Sequence, residues 1–362
     1  MSKPSRRRRG LTTIDDVARL AGVSAMTVSR VVNGGKNVRE TTRQAVLDAI
    51  KELNYSPNTA ARSLAAGEAT HIGLLYANPS AAYLSQFLIG ALHAARRAGC
   101  HLVIESCESE EADEQAEVTR RFATSDVEGV ILPPPLSEAQ PIIAELEAIG
   151  MPVVTVAMGI PQEDSLNIRI DDFAAAREMT RHLISQGHRA IGFIKGHPNH
   201  IASHDRARGF FAALEEAGLD PAEAPVEQGY FTYRSGLAAS ERLLSRPHPP
   251  TAIFASNDDM AAAVVAVAHR RHLDVPVDLS VCGFDDTAIA STIWPELTTI
   301  RQPIAEMARR AVDLLASDLR SGRTGKSAKP THVTLDYTLV RRQSDAAPGL
   351  ARRVRKGGRS DG

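Results

Sequence analysis

The chain has 362 residues, with 42 Lys+Arg against 43 Asp+Glu and a formal net charge of −1. Its 43% hydrophobic and 23% charged residues exclude a globally disordered polymer, and its length suggests about two domains. No apolar run approaches the roughly 20 residues that span a bilayer, and MSKPSRRRRG lacks a signal-peptide core, so a cytoplasmic protein with no membrane partner is expected.

The near-zero total conceals three blocks. Residues 1–68 hold 12 basic and 6 acidic residues, and residues 341–362 hold 7 and 2. The middle keeps 23 basic and 35 acidic residues, a balance of −12. A basic head is suited to nucleic acid, which an acidic body would avoid. Cys100, Cys107 and Cys282 are odd in number and lack CxxC spacing, so they read as free thiols rather than disulfides or zinc ligands.

In chain order, the Arg6–Arg9 run reads as a mobile arm that touches phosphates. Thr13 and Asp16 resemble a capping box opening a short helix through Ala21, with Ile14, Val17, Ala18 and Ala21 on one face. Gly22 breaks it. Ser24 reads as a second N-cap, with Val28, Val31 and Val32 apolar in the helix that follows, and Asn33-Gly34-Gly35 ends it. A third helix from about Thr41 to Leu53 would bury Ala45, Val46, Ala49, Ile50 and Leu53. Two short helices across a tight Gly turn, with a third packed on them, describe a helix-turn-helix unit. The stretch bracketed by Pro57 and Gly67 is too short to be a stable isolated helix and reads as a hinge.

From residue 70, strand-like runs at 72–76, 101–105, 129–132, 152–156, 190–194, 251–255 and 279–284 alternate with helical patterns. Examples are Gln86–Ala98, Phe173–Gln186, Asp205–Ala217 and Asp258–Arg271. This alternation implies βαβ units and parallel sheets, and the length implies two subdomains flanking a cleft. The tail from Ala346 reads as disordered.

The strings TIDDVARLAGVSAMTVSRVVN and VRETTRQAVLDAIKELNYSPNTAARSLAAG, followed by GHRAIGFIKG, HDRARGFFAALEEAG, PTAIFASNDDMAAAVV, LSVCGFDDT and PELTTIRQP, resemble the lactose-repressor (LacI/GalR) family of bacterial transcription regulators. The resemblance spans about residues 11–342. It implies an all-α helix-turn-helix head and an α/β body like a type I periplasmic binding protein, built of two parallel-sheet subdomains. The expected divisions are a basic arm at 1–10, the DNA-binding domain at 11–56, a hinge helix at 57–68, the effector-binding and dimerisation domain at 69–342, and a disordered basic tail at 343–362. One subdomain would comprise about 70–168 and 297–325, the other 169–296 and 327–342, with three chain crossings between them.

The resemblance makes the second helix a reader of the major groove. Ala25 and Met26 would pack on apolar base edges, and Arg30 could pair with guanine O6 and N7. Ser24, Thr27, Ser29 and Asn33 are expected at phosphate oxygens, and Thr13 is also expected among the DNA-binding residues. Tyr55, Asn58, Ala61 and Leu64 match a hinge helix that pairs in a homodimer and wedges Leu64 into the minor groove of operator DNA. Arg39 departs from the Ser that commonly caps the third helix.

In the body, Tyr83, Arg206, Phe231, Asn257, Asp258 and Asp285 match effector-binding positions, which implies a small-molecule effector, foremost a sugar. Ala157-Met158-Gly159 departs from the Asp or Arg that many sugar-binding members carry there. A purine-type corepressor is the alternative. No cofactor and no enzyme activity are expected. Asp258-Asp259 and Asp285-Asp286 could suggest glycosidase carboxylates, but no nucleotide, hydrolase or metalloprotease motif occurs. His197, His200 and His204 have metal-like spacing, yet read as a loop and helix start beside the cleft. The tail lacks leucine heptads, which points to a dimer and not a tetramer.

Overall fold

A computed structural model describes residues 13–32, 38–53, 70–159, 163, 165–323 and 330–349. The chain divides into two units, residues 1–69 and 70–362. Among the described residues no helix is long and apolar enough to cross a membrane.

The first unit contains α1 (Ile14–Ala21), α2 (Ala25–Val32) and α3 (Glu40–Glu52). Thr13 and Asp16 form the reciprocal capping box, and Gly22 closes α1 in the left-handed region at φ 66°. Val17, Ala18, Val28, Val31, Val46 and Ala49 make a small core. Ala45, expected inside, is exposed. The inward stripe of α3 runs through Val46 and Ala49, three residues apart, and turns Ala45 to solvent. Arg39 occupies the N-cap of α3 without a side-chain capping bond.

The second unit is built on two six-stranded sheets. The elements of the first half are β1 (His71–Tyr76), α4 (Ala81–Ala98), β2 (His101–Ser106), α5 (Ala112–Ala123), β3 (Gly129–Leu132), α6 (Gln140–Ala148), β4 (Val153–Val156) and β5 (Leu166–Arg169). Those of the second are α7 (Asp172–Ser185), β6 (Ile191–Lys195), α8 (Ile201–Glu216), β7 (Val226–Gln228), α9 (Tyr233–Leu244), β8 (Ala252–Ala255), α10 (Asp258–Arg270), β9 (Ser280–Asp285), α11 (Ala288–Thr292) and β10 (Thr298–Arg301). The chain then returns through α12 (Ile304–Arg323), β11 (Thr331–Thr334) and β12 (Thr338–Val340).

The first sheet runs β11-β5-β4-β3-β1-β2, all parallel. The second runs β12-β10-β9-β8-β6-β7, parallel except for β12. The inner strands are apolar because helices cover both faces; β3 and β8 are buried at every position. α4 lies so close to α12 that a Cβ on Gly90 would meet the Ala305 carbonyl oxygen at 2.3 Å. Only glycine fits there.

Two expected boundaries differ. β10 belongs to the second sheet, because Thr298–Arg301 pairs in parallel with Cys282–Asp285. β11 belongs to the first, where Thr331–Thr334 pairs with Leu166–Arg169. The chain therefore crosses between subdomains after β5, after β10 and after β11.

The expected disordered tail from residue 343 also needs correction, because its first residues are packed. Ser344 donates to the Val281 carbonyl at 2.6 Å and accepts from the Thr298 amide at 2.8 Å. Asp345 meets His182 Nε2 at 2.7 Å and also accepts from Thr298 and Gln186. Burial pushes the Asp345 carboxyl up, but the bonds from His182, Thr298 and Gln186 outweigh it and hold the group below its ordinary value.

Its stabilisation is thus present above the ordinary carboxylate pKa and lost as pH falls through the lower folded value. Asp345→Ala is expected to cost about 1–3 kcal/mol at neutral pH. Urea midpoints of variant and parent should draw together only as pH falls below the lowered folded value, where the carboxylate is protonated in either state.

Candidate functional site: a helix-turn-helix surface and an interdomain cleft

In the first unit, the Ser24 hydroxyl accepts from the Thr27 amide at 3.2 Å and shares a hydrogen bond with Thr27 Oγ1 at 2.9 Å. That start points Val28 and Val31 into the core and leaves the opposite face of α2 outward. Met26 is 67% exposed, and Arg30 is also exposed. Ala25, Thr27 and Ser29 are half-buried. Thr13 is exposed, with its hydroxyl donating to Asp16 at 2.7 Å. Asn33, Tyr55, Asn58, Ala61 and Leu64, and the Arg6–Arg9 arm, lie outside the described residues.

In the second unit a cleft lies at the carboxyl ends of the strands of both sheets, where open α/β sheets bind ligands. The space between its walls, including its mouth, is about 530 Å³. Tyr83, Arg206, Phe231, Asn257 and Asp285 line it together.

Arg206 organises the floor. It is 5% exposed, donates from Nε to Asp172 at 2.8 Å and from NH1 to the Ser256 carbonyl at 2.5 Å, and lies 3.7 Å from Asp285. Its guanidinium sits 3.6 Å from the centroid of the Phe284 ring, a desolvated cation–π contact. Gln302 donates to Asp285 at 2.5 Å. Burial pushes the Asp285 carboxyl up to about 7 against the pull of Arg206, and burial likewise raises Asp172. The Tyr83 hydroxyl is buried and has no hydrogen-bond partner among the described residues. Such a group costs free energy unless something bonds to it.

Three residues of the lining hold left-handed backbone without being glycine: Ala157 (φ 58°), Phe231 (φ 59°) and Asp285 (φ 109°). Conformations of this kind persist only where the surroundings enforce them, and they collect at binding sites. The Phe231 ring is fixed by Gly196, on which a Cβ would fall 1.9 Å from its Cζ. Asn257 caps α10, accepting from the Met260 amide at 3.0 Å, and donates to the Phe231 carbonyl at 2.9 Å.

Asp258 is not in the lining. It is 1% exposed and accepts from the Thr287 amide at 2.8 Å and the Thr299 hydroxyl at 2.6 Å, tying α10 to β10. The N-cap of that helix is its neighbour Asn257. The other carboxylates of the two Asp pairs also have separate partners. Asp259 accepts from Ser80 at 2.6 Å, and Asp286 holds Arg301 and Arg342, each at 2.6 Å.

The three histidines diverge as well. His197 approaches Glu110 at 3.5 Å, His204 meets the Pro198 carbonyl at 2.6 Å, and His200 lines the cleft.

Sequence reasoning missed Glu138, Asn78 and Gln302, which also line the cleft. Glu138 crosses it, accepting from the Ile201 amide at 2.9 Å and the Gly159 amide at 3.4 Å. Of the Ala157-Met158-Gly159 departure, Ala157 lines the cleft, whereas Met158 is buried in the first subdomain.

The pattern "Bacterial regulatory proteins, lacI family" matches residues 13–58, and "Periplasmic binding protein-like domain" matches residues 180–344. The HTH-type transcriptional regulator CelR of Thermobifida fusca is 35% identical over 347 residues, covering 93% of this chain and 99% of that protein. A structure of the CelR–cellobiose complex is similar with a TM-score of 0.69 at 32% identity, covering 92% of this chain and 99% of that one. The HTH-type transcriptional repressor PurR of Escherichia coli is 34% identical over 339 residues, covering 93% and 97%. The lac repressor dimer bound to operator and the anti-inducer ONPF has a TM-score of 0.68 at 29% identity, covering 93% and 100%. Head and body match along nearly the whole length, and this chain belongs to the LacI family of bacterial transcriptional regulators.

Proposed function

We propose that the protein is a cytoplasmic, dimeric repressor of a carbohydrate-use operon, released from a palindromic operator by a sugar bound in the cleft, and not an enzyme. The observation that carries this reading is the cleft itself. Tyr83, Arg206, Phe231 and Asp285 converge there with aromatic faces, paired donors and acceptors, and one buried hydroxyl that has no partner among the described residues. That is chemistry suited to hydroxyl-rich ligands. Asn257 acts by holding Phe231, and Asp258 by fixing the frame behind the lining. The cellobiose complex of a relative supports a sugar, and a relative named PurR supplies the competing ligand class.

Coupling follows from closure. An effector that prefers one arrangement of the two subdomains shifts the protein toward it, and the same bias sets the fit of the paired heads to DNA. The test is a thermal-shift screen of the full chain against neutral sugars, uronates and nucleobases, followed by operator release with each ligand found. Stabilisation by a sugar together with operator release supports the reading. Stabilisation by a nucleobase alone, with operator binding strengthened, overturns it.

On the head, Arg30, Met26 and Ala25 are the base readers in this proposal; Thr13, Ser24, Thr27, Ser29 and Asn33 touch the backbone, and Tyr55, Asn58, Ala61 and Leu64 form the hinge contacts. Arg30→Ala is expected to cost about 1–3 kcal/mol and to relax preference at one base pair of each half-site. Competition against single-base operator variants at fixed salt reads both effects. Equal loss on specific and random DNA would reduce Arg30 to a phosphate contact.

A further inference from the structure

His200 stands at the start of α8 in the N-cap position, yet its side chain makes no capping bond. The ring instead turns into the cleft and stacks on Phe231, with centroids 5.6 Å apart and planes 19° from parallel. His197 packs against it at 4.6 Å. The His200 ring nitrogens have no hydrogen-bond partner among the described residues, and the ring, held by stacking, forms part of the cleft lining.

The surrounding charge is one-sided. Arg206 is the only Lys or Arg among the described residues lining the cleft, and it is already tied to Asp172 and Asp285. Glu138 adds a further carboxylate from the facing wall.

We propose that His200 contacts the effector directly through its ring nitrogens and that, with the carboxylates around Arg206, it restricts the cleft to uncharged, hydroxyl-rich molecules. This rests on the sugar reading above and narrows it. Burial, helped by His197 and Arg206, lowers the His200 pKa to about 3, so the imidazole is neutral at physiological pH. A neutral ring offers one donor and one acceptor, which matches a hydroxyl group's own pair. A carboxylate or phosphate only accepts. It would find no free cation here, it would face the imidazole lone pair, and Glu138 and Asp285 would repel it to the extent that they are ionised.

The experiment is titration calorimetry of the full chain with glucose, cellobiose, glucuronate and glucose 6-phosphate. The neutral sugars are expected to bind, and the anionic ones to bind more weakly than glucose by about tenfold or more. His200→Leu is expected to weaken the neutral sugar by about tenfold, and His200→Asn, which restores a donor and an acceptor, to recover most of that loss. Unchanged operator binding by both variants shows that they fold.

Glucuronate binding as tightly as glucose overturns the proposal and leaves the sugar reading standing. Full affinity in His200→Leu overturns the contact. Binding of hypoxanthine in place of every sugar overturns this proposal and the sugar reading together.

Discussion

Arg206→Ala is expected to abolish the effector response while leaving operator affinity intact. The side chain serves the cleft and nothing in the head; its partners are Asp172, Asp285, the Ser256 carbonyl and the Phe284 face. Removing it does more than delete a ligand contact, because two buried carboxylates lose their counter-charge. Breaking a buried pair in this way costs about 3–5 kcal/mol when the remaining charge has to stay ionised.

The direction with pH follows from the carboxyls. Burial already raises Asp172, and it raises Asp285 to about 7, so without Arg206 both hold protons still more tightly. At low pH they are protonated and the loss is small; as pH rises the folded state must bind protons that the unfolded chain has released, and stability falls. The gap in melting temperature between parent and variant should therefore widen as pH rises through about 7, where Asp285 ionises in the parent but still holds its proton in the variant. Arg206→Met combined with Asp172→Asn should recover much of the stability and none of the effector response. Retained induction in either variant would remove Arg206 from the ligand site.

How much of this was legible beforehand depends on the range of the interaction. The capping box of Thr13 and Asp16, and Val28 and Val31 in the core, follow from spacing within one or two helical turns. The long apolar strands were legible for the same reason. β7 and β12, three residues each, carry too few positions for a period, and β10 and β11 change sheets at crossings that nothing local marks.

At the site, Arg206 and Asp285 could be placed because they follow recognisable strings. Asp258 could not be separated from the lining, since its burial depends on Thr287 and Thr299, 29 and 41 residues away. Ser344 and Asp345 look like solvated tail in the sequence because they are polar residues beyond the last strand. Their partners, Val281, Thr298 and His182, are all distant in sequence.

Glu138 is the residue least visible in sequence and the one with the second large expected effect. A helix leaves its first amide groups without intrahelical partners, and a Ser, Thr, Asp or Asn normally meets one of them. α8 begins with His200, which does not. The missing acceptor comes from the opposite subdomain, where Glu138 reaches across to the Ile201 amide while holding Gly159 on its own side. A carboxylate there is also favoured by the helix dipole. A second bond, from Ser80 to Asp259 at 2.6 Å, spans the same gap. The first amide of the helix thus takes its acceptor from across the cleft, so opening the cleft would cost this bond and an ordinary capping energy becomes a bias on closure.

Glu138→Ala is expected to disfavour the closed arrangement by about 1–3 kcal/mol and to weaken effector binding by about tenfold or more, even for ligands that never touch residue 138. Glu138→Gln keeps an acceptor for the Ile201 amide and should lose far less. Burial outweighs the two amide bonds and raises the Glu138 pKa, so the closed state binds the proton more tightly than an open, solvated carboxylate does. Lower pH therefore favours closure through this residue, and the contribution fades as pH rises past the raised value.

Asp285, pushed up to about 7, also titrates in the cleft, so the informative quantity is the difference between parent and Glu138→Gln measured across pH. Solution scattering of the ligand-free chain should show Glu138→Ala more open than the parent. Equal dimensions with equal effector affinity would mean that the cap supplied across the cleft carries no closure energy.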